Sequence, residues 1–157
     1  MSTTMKKIVP LLLSFCLFTQ VVAQTNVNFQ TIDRIEMYYL DELCSFDFNY
    51  LKSKETITIG DKEYGKICTY SLSDTTAANI IPMIKAAFFD NPPIVRKNSE
   101  KMETGQPVIS ITCYSKGKKV YSKRICHEID YLFSSEYLNL IEELKLLNQR
   151  CQAAENR

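Results

Sequence analysis

A single histidine, His127, and four glycines are little material from which to build an enzyme site. Any Ser-His-Asp or Cys-His arrangement would have to use His127. Its neighbour Cys126 points to the opposite face if both residues continue a strand. Glu128 and Asp130 add two carboxylates beside one imidazole, a poor set for a transition metal, and they read as solvated acids leading into a helix. So few glycines make backbone cradles for a phosphate or cofactor hard to assemble. No Gly-x-Ser-x-Gly, His-Glu-x-x-His or Asp-rich calcium loop occurs. No two cysteines are spaced Cys-x-x-Cys, so neither a thioredoxin-type site nor a zinc ribbon is signalled. Asn-x-Ser/Thr sequons are also missing. The expectation is a protein without catalysis, cofactor or metal.

An excess of either charge is lacking too. The chain has 19 basic and 18 acidic residues. Setting aside Lys6 and Lys7, in the leader described next, leaves 17 against 18, a net charge of −1. Nucleic-acid binding needs clustered surplus Lys and Arg, and electrostatic membrane binding needs the same, so both classes are excluded. Beyond residue 23 no apolar run approaches the roughly 20 residues that span a bilayer.

Residues 1–23 read as a secretory signal peptide. Lys6 and Lys7 form the positive start, residues 8–18 the apolar stretch, and Val21 and Ala23 the small residues before a cleavage site. Cys16 follows Phe15 rather than a small residue, which argues against lipidation. The mature protein is then a single exported domain, residues 24–157, periplasmic or secreted and without a stable membrane anchor. That length supports one core of its own. It retains Cys44, Cys68, Cys113, Cys126 and Cys151. An oxidising compartment favours pairing, and the odd count leaves one over. The pairing expected is Cys44 with Cys68, joining two early strands.

Strand signals come first. Residues 32–40 are rich in β-branched and aromatic side chains. Residues 44–50 alternate most cleanly, with Cys44, Phe46, Phe48 and Tyr50 on one face and Ser45, Asp47 and Asn49 on the other. Asp41 and Glu42 fall at the turn between these two. Segments 56–59 and 64–72 read as two more strands around a Gly60-Asp61 turn. A helix follows within residues 73–90: Ser73 or Asp74 could cap it with Pro82 in its middle, but Asn79 is preferred as the cap so that Pro82 falls in the first turn, and Asn91-Pro92-Pro93 ends it. Residues 94–107 read as a charged surface loop. Segments 108–114 and 119–126 form a hairpin across Ser115-Lys116-Gly117-Lys118. Ser134 or Ser135 caps a last helix whose stripe is Tyr137, Leu140, Ile141, Leu144, Leu147 and Cys151. The predicted fold is α+β: an antiparallel sheet of four or five strands with two helices on one face, in the order strand-strand-helix-strand-strand-helix.

Two surfaces are then candidates for binding. The sheet face away from the helices displays Arg34, Glu36, Tyr38, Asp47, Asn49, Thr112 and Tyr114. Tyrosine supplies contact area at low entropic cost, which suits recognition. The second hairpin carries Lys116, Lys118, Lys119, Lys123 and Arg124, which could meet an acidic partner. The function expected is an exported, non-catalytic binding protein that holds or inhibits another macromolecule, such as a toxin, a protease or an envelope protein. The alternative is a small-ligand or glycan-binding domain with a pocket between sheet and helices.

Overall fold

The computed structural model describes residues 27–41, 44–61, 65–95, 107–126 and 131–153. The segment expected to be a signal peptide, with Cys16, residue Glu42, most of the charged loop after residue 95, and His127, Glu128 and Asp130 all lie outside the described residues.

Alternation of apolar and polar side chains builds the sheet. Strands β1 (Arg34–Leu40) and β2 (Ser45–Leu51) bury every second residue. β3 (Thr56–Gly60) and β4 (Ile67–Ser71) continue outward on one side, and the hairpin β6 (Pro107–Ser115) and β7 (Lys118–Cys126) on the other. All pairings are antiparallel, in the order β4-β3-β2-β1-β6-β7. The sheet therefore has six strands rather than four or five. The segments expected at 56–59 and 64–72 supply β3 and the shorter β4, Ile67–Ser71, and both belong to the sheet. Two short strands, β5 (Ile94–Val95) and β8 (Tyr131–Leu132), pair with each other outside it. Four strands precede the first helix, so the expected strand-strand-helix repeat is not the order found.

The helices supply the other layer. Helix α1 (Thr75–Lys85) starts earlier than Asn79, because Asp74 accepts the Thr76 N–H at 2.8 Å and caps it. Pro82 thus sits inside the helix, where it removes a backbone donor at a cost of about 3 kcal/mol. Its side chain is exposed, while Ala77, Ile80 and Ile84 carry the buried face. The helix ends in a wider π-helical turn, Ala86–Asp90. Helix α2 (Ser135–Ala153) is capped by Ser134, whose Oγ accepts the Tyr137 N–H at 3.1 Å. All six residues of its expected stripe are buried. Both helices join the inward residues of the sheet in one apolar core. At its centre Ile35, Phe48, Ile57, Ile59, Ile109 and Ile111 are fully buried.

Two details fix the far edge. Cys68 pairs with Cys151, not with Cys44, which is a free, half-buried thiol. Cys44 sits at the Asp41 corner, its N–H donating to Asp41 Oδ1 at 2.8 Å, whereas Cys68 stands opposite Ile59 beneath the end of α2. The Gln152 side-chain amide reinforces that junction. It accepts the Lys66 N–H at 3.1 Å and donates to the Lys66 carbonyl at 2.9 Å, as a neighbouring strand would. Gly60 lies at the end of β3 rather than in a turn. A Cβ there would collide with the Lys66 carbonyl, so close approach of the β4 backbone demands glycine.

Under non-reducing conditions, peptide mapping is expected to recover a Cys68–Cys151 linked peptide; a Cys44–Cys68 link would refute the arrangement. Reduction is expected to remove about 2–4 kcal/mol of stability, since the bridge closes a long loop. Gly60→Ala is expected to cost about 2 kcal/mol, read from the urea midpoint, by forcing β4 away. An unchanged midpoint would show that the approach is not tight.

Candidate recognition surfaces

Among the described residues the helices cover one face of the sheet, and the strand registers decide what the other displays. Arg34 stands opposite Tyr114, Glu36 lies between Asn49 and Thr112, and Tyr38 between Asp47 and Ser110. All seven residues proposed for this face therefore share it, on the three central strands β2, β1 and β6.

A local network orders its near end. The Arg34 guanidinium lies 3.8 Å from the centre of the Tyr114 ring, a cation–π contact, and its Nε is 3.5 Å from Glu36 Oε1. The Tyr114 hydroxyl donates to Glu36 Oε2 at 3.0 Å. That bond to a carboxylate raises the Tyr114 hydroxyl above the usual tyrosine range. Asp33 fixes the strand carrying Tyr114: its N–H donates to the Tyr114 carbonyl, and its carboxylate accepts the Lys116 N–H at 2.6 Å.

Beside the network is an open depression of about 300 Å³, with Glu36, Tyr38, Asp47, Asn49 and Thr112 among its lining residues. Ser110 also lines it and was missed in sequence, although it shares the parity of Thr112 and Tyr114 on β6. Register extends the polar row further, through Thr69, Thr58, Asn49, Glu36, Thr112 and Ser122 across all six strands. Individual strands cannot reveal this row, because it exists only once they are aligned. Its chemistry is hydrogen bonding: hydroxyls and an amide that both donate and accept, beside the Glu36 carboxylate.

The basic hairpin is less unified. Lys116 and Gly117, both at positive φ (50° and 74°), form the two-residue turn, the type I′ geometry that suits a hairpin. Lys116, Lys118, Lys119 and Arg124 are exposed. Lys123 turns the other way, opposite Ile111, and its ammonium donates to the Pro93 carbonyl at 2.7 Å. Burial lowers its pKa. The five residues thus do not form one patch.

A second cavity, of about 450 Å³, lies between the sheet and a helix, at β1 and α2. Tyr39, Phe133, Tyr137, Leu138, Ile141, Glu142 and Lys145 line it. Phe133 stacks on Tyr137 with ring centres 4.5 Å apart. At the polar end the Tyr39 hydroxyl donates to Asp41 Oδ2 at 2.8 Å, and the Lys145 ammonium is 2.8 Å from the same oxygen. Burial, followed by the bond to Asp41, pushes the Tyr39 hydroxyl up to about 12. The hydrogen bond to Asp41 raises Lys145 in turn, keeping it charged.

Among the described residues no three His, Cys, Asp or Glu side chains gather as they would around a metal ion. None of the helices described is long and apolar enough to cross a membrane. Compared with protein-family models, curated proteins and solved structures, the chain matches none.

Tyr39 and Tyr121 are both raised from 10.0 to about 12, chiefly by burial. An unfolded tyrosine ionises near 10, so the unfolded state loses protons first. The stability these groups contribute is intact below pH 10 and is expected to drain away as pH rises through 12. Phenolate absorbance and thermal melts between pH 9 and 12 check this. Tyrosines all ionising together near 10, with the protein still folded, would contradict it.

Proposed function

We propose that this protein is an exported binding protein that acts without catalysis. Its partner is another extracytoplasmic protein, held against the open sheet face around Tyr38. The observation that carries the reading is the registered polar face itself. Seven residues of mixed chemistry, two of them tyrosines, lie on three adjacent strands around an open depression. Strands paired on both sides make that face rigid, so little order has to be gained on binding. Tyr38 would be the contact at the centre, with Asn49, Thr112 and Ser110 satisfying hydrogen bonds around it. Arg34, Glu36 and Tyr114 would form a preset polar rim. The role that fits is to hold or inhibit that partner.

Export is part of the same proposal. The leader-like residues 1–23 support it, and the Cys68–Cys151 bridge suits an oxidising compartment. The exposed part of the hairpin, Lys116, Lys118, Lys119 and Arg124, guards one sheet edge against strand pairing. It would contribute to binding only where the partner is acidic.

The test is capture from envelope and secreted fractions on the immobilised protein, with the retained protein identified by mass spectrometry. One stoichiometric partner is expected. Tyr38→Ala combined with Tyr114→Ala is expected to weaken its binding at least tenfold, about 1.4 kcal/mol, with the melting temperature nearly unchanged. Undiminished binding by the double variant would refute the sheet-face version.

A further inference from the structure

The cavity between β1 and α2 lies on the opposite side of the sheet from the open face and does not depend on the reading above. We infer that it is a binding site for a small amphipathic cation, an apolar body that carries an amine.

Size and lining define the body. At about 450 Å³ the cavity falls within the range of small-molecule sites. Tyr39, Phe133, Leu138 and Ile141 give it aromatic and aliphatic walls. Leu138 is 53% exposed, an apolar side chain left in water at the rim. A ligand that covers it gains hydrophobic free energy that the protein alone does not realise.

Charge defines the head. The one cation among the described lining residues, Lys145, is already matched by Asp41 at 2.8 Å, and the Tyr39 hydroxyl donates to the same carboxylate oxygen. Glu142 lines the same cavity one turn before Lys145 on α2, is exposed, and has no ion-pair partner among the described residues. Among the described residues, Asp41, Lys145 and Glu142 together carry a net charge of −1 at the polar end. A carboxylate ligand would face this surplus negative charge, with Lys145 already engaged. An amine would meet Glu142 and restore neutrality.

Three probes with one apolar body test this: 4-phenylbutylamine, 4-phenylbutanol and 4-phenylbutyrate, titrated into the full-length protein and followed by amide chemical shifts. Saturable shifts confined to residues 39–41 and 133–145 are expected for the amine, with a dissociation constant below about 1 mM and at least tenfold tighter than for the butyrate. Glu142→Gln is expected to erase the preference for the amine, and Leu138→Asp to weaken the binding of the uncharged alcohol. Both positions are exposed, so both variants keep the fold. Equal or tighter binding of the butyrate, or an amine preference that survives Glu142→Gln, overturns the assignment of the head. Failure of all three probes to saturate overturns the site. Because Tyr38 and Tyr114 lie on the other face, the double variant that tests the sheet face should bind the amine normally. The two readings therefore fail independently.

Discussion

Everything in this molecule depends on the sheet having one apolar side. Along β1 and β2 every second residue is apolar, so pairing the strands in register collects those side chains on one face. A slip of one residue would turn Phe46 and Phe48 outward and Asp47 and Asn49 inward, leaving a carboxylate without water. The helices follow from the same constraint. The stripes of α1 and α2 have one place to go, and once they occupy it no described element covers the reverse face. Its polar display is a by-product of how the core is made.

Much of this could be read from the residues. The seven residues of the open face come together because period-two alternation is local and the central strands carry it cleanly. The stripe of α2, from Tyr137 to Cys151, was equally legible, since six apolar positions at helical spacing allow few other outcomes. What could not be read depends on positions distant in sequence. Cys68 finds Cys151 only because α2 crosses the sheet and ends over β4. The pocket at Tyr39 exists only where Phe133 and α2 pass β1. Pro82 misled for a different reason: local chemistry disfavours it within a helix, but packing by Ala77, Ile80 and Ile84 outweighs that cost.

The pairing of β1 with β6 is the least local in the sheet. β1 and β6 lie side by side although β2, β3, β4 and α1 intervene in the chain. Their pairing has to wait until that intervening unit can bring its ends together, which favours slow folding compared with a helical protein of this size. Asp33 and Lys116 mark the closure, one at the entry to β1 and the other in the turn after β6, joined by a 2.6 Å bond.

The bridge between Cys68 and Cys151 spans 83 positions of the chain. It encloses α1, the β6–β7 hairpin and nearly all of α2. If a protease severs any one peptide bond within that span, the two pieces remain covalently attached, and the core residues they share need not separate. Only a cut outside the span releases a fragment, and the segment before Cys68 is itself woven into the centre of the sheet through β1 and β2. A chain bound in this way can be nicked and still present both of its faces.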